Sequence, residues 1–502
     1  MSSKKRRVLY NDDGGSIIFY PHPYQMTLDQ YYDCVDQLIG THVDTYILCL
    51  GSPTNCRDDE FAGKRLDAVE KGTAAWRNAR NILHLRTLGI DPHTALLQRA
   101  KDRGLRAIAS IRMNDAHYAY SPQGPEKVPT VSPFWLEHPE YRIDPEVDTA
   151  RVLRETQDWK RILYDYSHPE VQQYVLDRID EFLERTDPDG LELDFMRHPF
   201  YFKPEEAPEK LGRMTEFVRR VRARLDEIEE ATGQHRALGA LVPVTVEAGR
   251  RIGLDGITWI KEGLLDYIAP KHFIEFVMDA RLDEFVSAAR NTRTEVYPCL
   301  ENWPTGEARE RPIESFRGAA AHYWDIGVDG IYVYNYFNHR PHPFSKEDRH
   351  ILEEIGDPDV LMWKDKRYAL VSVNFIFEDE GWQVPLEVSG SHIIRFSLGG
   401  ETPTEAEEWP LRSDVLRLTF EKIVVEEDVL EFQLNGAVIP SESFKAVFDP
   451  ACYDFRCIEC DLSGLPLLKS GENGLGIELK RRCPGVSTPL VLTEVEVITS
   501  YR

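Results

Sequence analysis

The chain has 502 residues, 42% of them hydrophobic and 29% charged, with a formal net charge of -25. It exceeds the roughly 250 to 300 residues at which single cores stop growing, so two domains are expected. The acidic balance argues against a nucleic-acid backbone or an anionic membrane as partner, because both need clustered positive charge, and favours neutral ligands or small cations.

At the amino terminus, Met1 to Val8 is basic but runs straight into Leu9-Tyr-Asn-Asp-Asp-Gly14 with no apolar stretch behind it. No export signal is read, no run is long and apolar enough to span a membrane, and a cytoplasmic setting is expected. Strand-like runs then alternate with helix-like ones. The strands are Ser16 to Tyr20, Asp44 to Gly51, Leu105 to Met113, Gly190 to Met196, Ala237 to Thr245, Leu265 to His272, Glu295 to Glu301 and Gly330 to Tyr336. Between them, Asp91 to Arg103, Pro169 to Arg185, Ala207 to Thr232, Asp279 to Asn291 and Ile313 to Gly327 bring apolar residues round at helical spacing. Eight such units predict an α/β fold, a (β/α)8 TIM barrel over residues 1–356. The long Tyr118 to Asp148 segment between the third and fourth strands is expected to shape a binding cleft.

After Asp357-Pro358 the texture changes to short alternating runs: Ala369 to Phe377, Ser391 to Ser397, Val415 to Leu418, Leu430 to Leu434, Phe455 to Cys460, Gly474 to Glu478 and Leu490 to Ile498. These predict a C-terminal all-β sandwich of jelly-roll type over 366–502, as an accessory domain that caps the barrel or binds sugar. The eight cysteines are too few for a disulfide scaffold and are read mostly as core residues. Cys452, Cys457 and Cys460 with Cys483 offer a zinc alternative, at a spacing that matches paired ribbons poorly.

Barrel active sites form where strands end, so the strand ends carry the functional reading. In Gly190-Leu-Glu-Leu-Asp-Phe195, a period of two turns Leu191, Leu193 and Phe195 outward and Glu192 and Asp194 inward. Two acids on an inward face need a polar site or a buried ion pair. Strand one is flanked by Asp12, Asp13 and His22. Strand three ends with Ser110, Arg112 and Asn114 in the inward phase and His117 beyond. Arg197 and His198 follow strand four. Strand six ends at Lys271 and His272, strand seven at Glu301 and Trp303, and strand eight supplies Tyr332, Tyr334, Asn335, Asn338 and His339. Carboxylates after strands four and seven stand on opposite sides of a barrel mouth, the arrangement glycoside hydrolysis needs. Asp194 and Glu301 are therefore the expected catalytic pair, with Glu192 deeper and held by Arg112 or Lys271. Trp303 and the tyrosines suit stacking on a sugar, and Arg112, His117, Lys271 and Asn335 suit its hydroxyls or a carboxylate.

The phrases Asp165-Tyr-Ser-His-Pro-Glu-Val171 and Asp187-Pro-Asp-Gly-Leu-Glu-Leu-Asp194 resemble the family-10-like glycosyl hydrolases, as do Val8-Leu-Tyr-Asn-Asp-Asp-Gly14, Ile252 to Trp259 and Gly263 to Tyr267. The resemblance spans most of residues 1 to 340 and implies a (β/α)8 glycosidase fold, with Asp194 matching the acid at the end of the fourth strand. The Phe-Met-Arg-His-Pro that follows departs from the relatives, which often continue with another acid or tyrosines. No cofactor or metal is expected, the substrate is a carbohydrate, and the sequence leaves a homo-oligomer open. Four other readings stay open. A metal-dependent amidohydrolase lacks a His-x-His pair beside His22. A radical iron-sulfur enzyme lacks a cysteine triplet around Cys49 and Cys56. A noncatalytic carbohydrate-binding protein would bind without turnover. A uronate lyase would use His198, Lys271 or a tyrosine as base.

Overall fold

The computed structural model describes residues 8–12, 22–54, 63–64, 66–67, 70–117, 119, 128, 130–152, 158–272, 278, 280–301, 312–336, 343–371, 383–400, 412–449, 454–463, 465 and 467–501. They fall into two compact units, one of Met1–Ile274, Leu282–Trp303 and Asp329–Glu353, the other of Glu275–Arg281, Pro304–Val328 and Glu354–Arg502.

The first unit is built on strands β1 (Val8–Asp12), β2 (Val43–Gly51), β3 (Arg106–Arg112), β4 (Gly190–Asp194), β5 (Ala237–Pro243), β6 (Tyr267–Lys271), β7 (Glu295–Val296), β8 (Cys299–Glu301) and β9 (Ile331–Tyr334). They form one parallel sheet in the order β7-β6-β5-β4-β3-β2-β1-β9-β8. β7 and β8 are halves of one path, interrupted at Tyr297-Pro298 because proline has no N–H to give the ladder. The path is continuous in its bonding: Tyr297 N donates to Ile268 O at 2.9 Å, and Tyr332 N to Pro298 O at 3.0 Å. With β7 on β6 and β8 on β9, the sheet closes into an eight-stranded barrel.

The barrel differs from the sequence expectation at its start. The first strand is Val8–Asp12, paired with β2 and β9, while Ser16 to Tyr20 lies outside the described residues. Val8, Leu9 and Tyr10 are buried, so this short run supplies the apolar surface the first position needs. Asp12 is thus within the strand, and its carboxylate accepts the Tyr46 hydroxyl at 2.9 Å instead of facing the barrel mouth.

Around the barrel, Pro92–Asp102 starts behind Asp91, whose carboxylate caps the Thr94 N–H at 2.8 Å. Pro169–Thr186 opens on proline, and Leu211–Thr232 ends at Gly233 in the left-handed region, φ 71°. Their apolar faces, such as Val171, Val175, Ile179 and Phe182, are buried as the helical spacing predicts. Two further helices, Leu28–Asp36 and Ala74–Thr87, were not anticipated; each opens on a threonine cap, Thr27 and Thr73.

In the second unit, strands β10 (Lys366–Val371), β11 (Leu386–Glu387), β13 (Arg412–Glu421), β16 (Phe444–Asp449), β17 (Asp454–Asp461) and β19 (Val491–Tyr501) make one antiparallel sheet, and β12 (Ser391–Leu398), β14 (Val429–Leu434), β15 (Ala437–Ile439) and β18 (Gly471–Arg481) a second. Strict alternation along β14 buries Leu430, Phe432 and Leu434, and the Phe432 ring meets Phe444 of the other sheet at 4.2 Å between centroids. This is the predicted β-sandwich. Helix Ile313–Ile326 belongs to the same unit, where Gly318 lets the Arg367 backbone approach too closely for any Cβ. Cys457 and Cys460 are buried free thiols on β17, and Cys452 lies outside the described residues. No helix among the described residues is long and apolar enough to cross a membrane.

Candidate active site in the barrel

Strand periodicity sorts the barrel interior into layers. Register pairs Arg112 with Asp194, Asp194 with Leu241, Pro243 with Lys271, Glu301 with Tyr334 and Tyr334 with Asn11. The residues at the carboxyl ends thus converge as the alternation requires. Asp194, 1% exposed, accepts the Met196 N–H on Oδ1 at 2.8 Å and the Tyr334 hydroxyl on Oδ2 at 2.9 Å. Glu301, also 1% exposed, is ion-paired through Oε2 with the Lys271 ammonium and accepts Asn335 Nδ2 on Oε1 at 3.3 Å. Lys271 also donates to the His272 carbonyl at 3.0 Å and lies 4.7 Å from the centre of the Tyr334 ring. One tyrosine therefore links the two carboxylates, its hydroxyl on Asp194 and its face toward the ammonium that holds Glu301.

One layer deeper sits Glu192, with no exposed surface. Tyr267 donates to its Oε2 at 2.8 Å and Tyr332 to its Oε1 at 3.0 Å. The expected partners are corrected: Arg112 pairs with Asp115 and Lys271 with Glu301, because both cations lie at the strand ends, beyond the reach of the deeper layer. Burial, reinforced by the negative charge of Asp194, pushes the Glu192 carboxyl up to about 8. It therefore holds a proton at neutral pH. Tyr267 reaches it only because the facing β5 position is Gly239, where a Cβ would overlap the phenol ring.

At the ends of β3 and β4, Asp115 gathers a second cluster. Its Oδ2 receives Arg112 Nη1 at 2.8 Å, its Oδ1 receives the His117 N–H at 2.9 Å and Nδ1 at 2.5 Å, and His198 Nδ1 lies 3.3 Å away. Arg197 Nη2 donates to His117 Nε2 at 2.7 Å, which fixes the His117 proton on Nδ1. Burial and the Arg197 charge hold His117 down to about 3, so the ring is neutral, while the adjacent His and Arg groups hold Asp115 well below the usual carboxylate range. Asp115, His117 and His198 can bring ligand atoms within 4.8 Å of one another. The two guanidiniums on the same carboxylate and ring make this a poor place for a metal cation. No cysteine joins such a cluster among the described residues.

Of the other residues singled out in the sequence, Asn114 is spent on the backbone, donating to Tyr164 O at 3.0 Å and Phe200 O at 2.8 Å. His272 is buried and held down to about 3 by burial and the neighbouring Lys271 charge. The His22 carbonyl accepts Asn81 Nδ2 at 3.2 Å, and burial lowers the pKa of its ring. Asp13, Trp303, Asn338 and His339 fall outside the described residues. Sequence reasoning missed Tyr267, although a glycine on one strand opposite a bulky aromatic on the next is a legible signal. It also missed Asn11, 1% exposed beside Tyr334, with no hydrogen-bond partner for either amide atom among the described residues. The Asn335 Oδ1 is likewise buried and unbonded, on a residue at φ 52°.

No protein-family model and no curated protein matches the chain. Solved structures align over nearly its whole length at low identity. An endo-β-1,4-mannanase from Thermotoga petrophila aligns with 99% of this chain and 98% of its own at 10% identity and a TM-score of 0.40. A maltogenic α-amylase from Thermotoga neapolitana aligns with 98% and 99% at 11% identity and 0.39. A GH36 α-galactosidase from Geobacillus stearothermophilus gives 95% and 55% at 14% and 0.38. At this level of likeness nothing about chemistry passes from those proteins to this chain.

Proposed function

We propose that this protein is a glycosidase that cleaves an O-glycosidic bond with Asp194 and Glu301, in a catalytic barrel over residues 1–356 followed by an accessory β-sandwich over 366–502. The observation that carries this reading is the pair of buried carboxylates at opposite strand ends, joined through Tyr334 and Lys271. Their surroundings divide the labour. Asp194 is a fixed acceptor on both oxygens and suits attack on the anomeric carbon or removal of a proton from an attacking water. Glu301, on the facing strand end and in contact with the Lys271 ammonium, is assigned the departing oxygen. As the glycosidic bond breaks, the Lys271–Glu301 pair gives one proton to the leaving alcohol and regains one from the water whose hydroxide ends on the anomeric carbon. Asn11 and Asn335 offer unspent amide atoms to sugar hydroxyls, and Glu192 holds Tyr267 and Tyr332 beneath the site without adding a second charge to Asp194.

Hydrolysis of aryl glycosides with graded leaving groups tests the roles. Asp194→Asn is expected to lose turnover on all of them. Glu301→Gln is expected to lose it on poor leaving groups and to keep more of it on dinitrophenyl glycosides, which need no acid. Turnover indifferent to both changes in folded variants would remove this pair from the chemistry.

A further inference from the structure

We propose that Arg197 receives the carboxylate of an acidic sugar, so that the glycoside taken by this barrel carries a uronic acid; this rests on the glycosidase reading above. Arg197 stands three residues past Asp194, just beyond the end of β4. Its Nη2 donates to His117 Nε2, and among the described residues its buried Nε has no partner and no carboxylate lies within 4 Å of it. The carboxylate of the cluster, Asp115, is already taken by Arg112 and by the His117 ring and N–H.

The way Arg197 is held matters as much as the lack of a counter-ion among the described residues. A carboxylate partner would fix the guanidinium and cancel its charge together. A neutral imidazole, locked by Asp115 into offering its Nε2 lone pair, fixes the guanidinium and leaves the charge in place. Among the described residues the cluster accordingly carries two guanidiniums against one carboxylate. In a chain with 85 acidic residues and 60 basic ones, that none of the described acids lies against this arginine is a property of the position and not of composition. A half-buried guanidinium whose Nε finds no acceptor among the described residues calls for an anion, and its planar fork matches a carboxylate in two parallel hydrogen bonds. The overall negative charge does not oppose this, since its reach is screened beyond about 8 to 10 Å at physiological salt while the pair forms in contact.

Calorimetric titration of the full chain with D-glucuronate, D-galacturonate, glucose, galactose and inorganic sulfate tests the proposal, alongside Arg197→Gln and Arg197→Lys. Wild type is expected to prefer each uronate over its neutral counterpart by roughly 10- to 100-fold, as a charge-assisted bidentate pair provides. Arg197→Gln should abolish the preference and Arg197→Lys should keep part of it, which also shows that the position tolerates substitution. Absence of any uronate preference in wild type, or a preference that survives Arg197→Gln, would overturn the proposal. So would sulfate binding as tight as that of the uronates. A uronate preference in a protein that hydrolyses no glycoside would overturn the glycosidase reading alone; hydrolysis of neutral aryl glycosides with Arg197→Gln leaving glucuronides unaffected would overturn this inference alone.

Discussion

Glu192→Gln is the sharpest probe of the barrel interior. Glu192 is fully buried, and its carboxyl is raised from an ordinary 4.5 to about 8, first by burial and then by Asp194. In the unfolded chain the group ionises near 4.5, so between that pH and about 8 the folded state holds a proton the unfolded state has released. The stabilisation is therefore complete below about pH 4.5 and is lost as pH rises through about 8. At about 1.36 kcal/mol for each pH unit, the loss accumulates to on the order of 5 kcal/mol. Glutamine has the same shape and cannot titrate, so the variant escapes this loss. At pH 5 it should lie within about 1 kcal/mol of wild type, because only one of the two tyrosine hydroxyls can still donate to it. By pH 9 it should be the more stable protein by about 4 kcal/mol. Urea denaturation at intervals from pH 5 to 9.5 reads this directly as a gap that opens through neutral pH and then levels off. Parallel profiles would mean that Glu192 carries its charge in the folded state and would refute the reasoning.

Gly239→Ala should displace the Tyr267 ring and strip one hydrogen bond from Glu192, costing about 2 to 5 kcal/mol; combining it with Tyr267→Leu should cost less than the sum of the two, which thermal melts would show. Tyr334→Phe keeps the ring beside Lys271 but removes the donor to Asp194, so kcat on aryl glycosides should fall by about 10- to 100-fold with little change in melting temperature. An unchanged kcat would separate Tyr334 from the reaction. Lys271→Met leaves Glu301 buried without its cation and should destabilise the fold by about 3 to 5 kcal/mol, whereas the double variant with Glu301→Gln should recover much of that in the same denaturation assay.

Much of this molecule was legible from local pattern. The alternation in Gly190–Asp194 placed Glu192 and Asp194 on one inward face before any partner was known, because side chains on a strand alternate as a matter of covalent geometry. The same periodicities separated the βα units from the sandwich that follows. Composition and spacing did not reveal which run opens the barrel: Val8–Asp12 is only five residues long, and it is a strand because β2 and β9 stand on either side of it. Nor did they reveal who holds whom. Glu192 meets Tyr267 and Tyr332, at separations of 75 and 140 residues, and Lys271 meets Glu301 thirty residues on. Arg112 turns to Asp115, and Arg197 donates to the neutral His117 imidazole. Which face a side chain takes follows from its own strand, but which partner it finds across a closed barrel follows from the register of every strand between them. Only the assembled sheet fixes that register, so the acids were written in the sequence and their charges, partners and protons were decided by the fold.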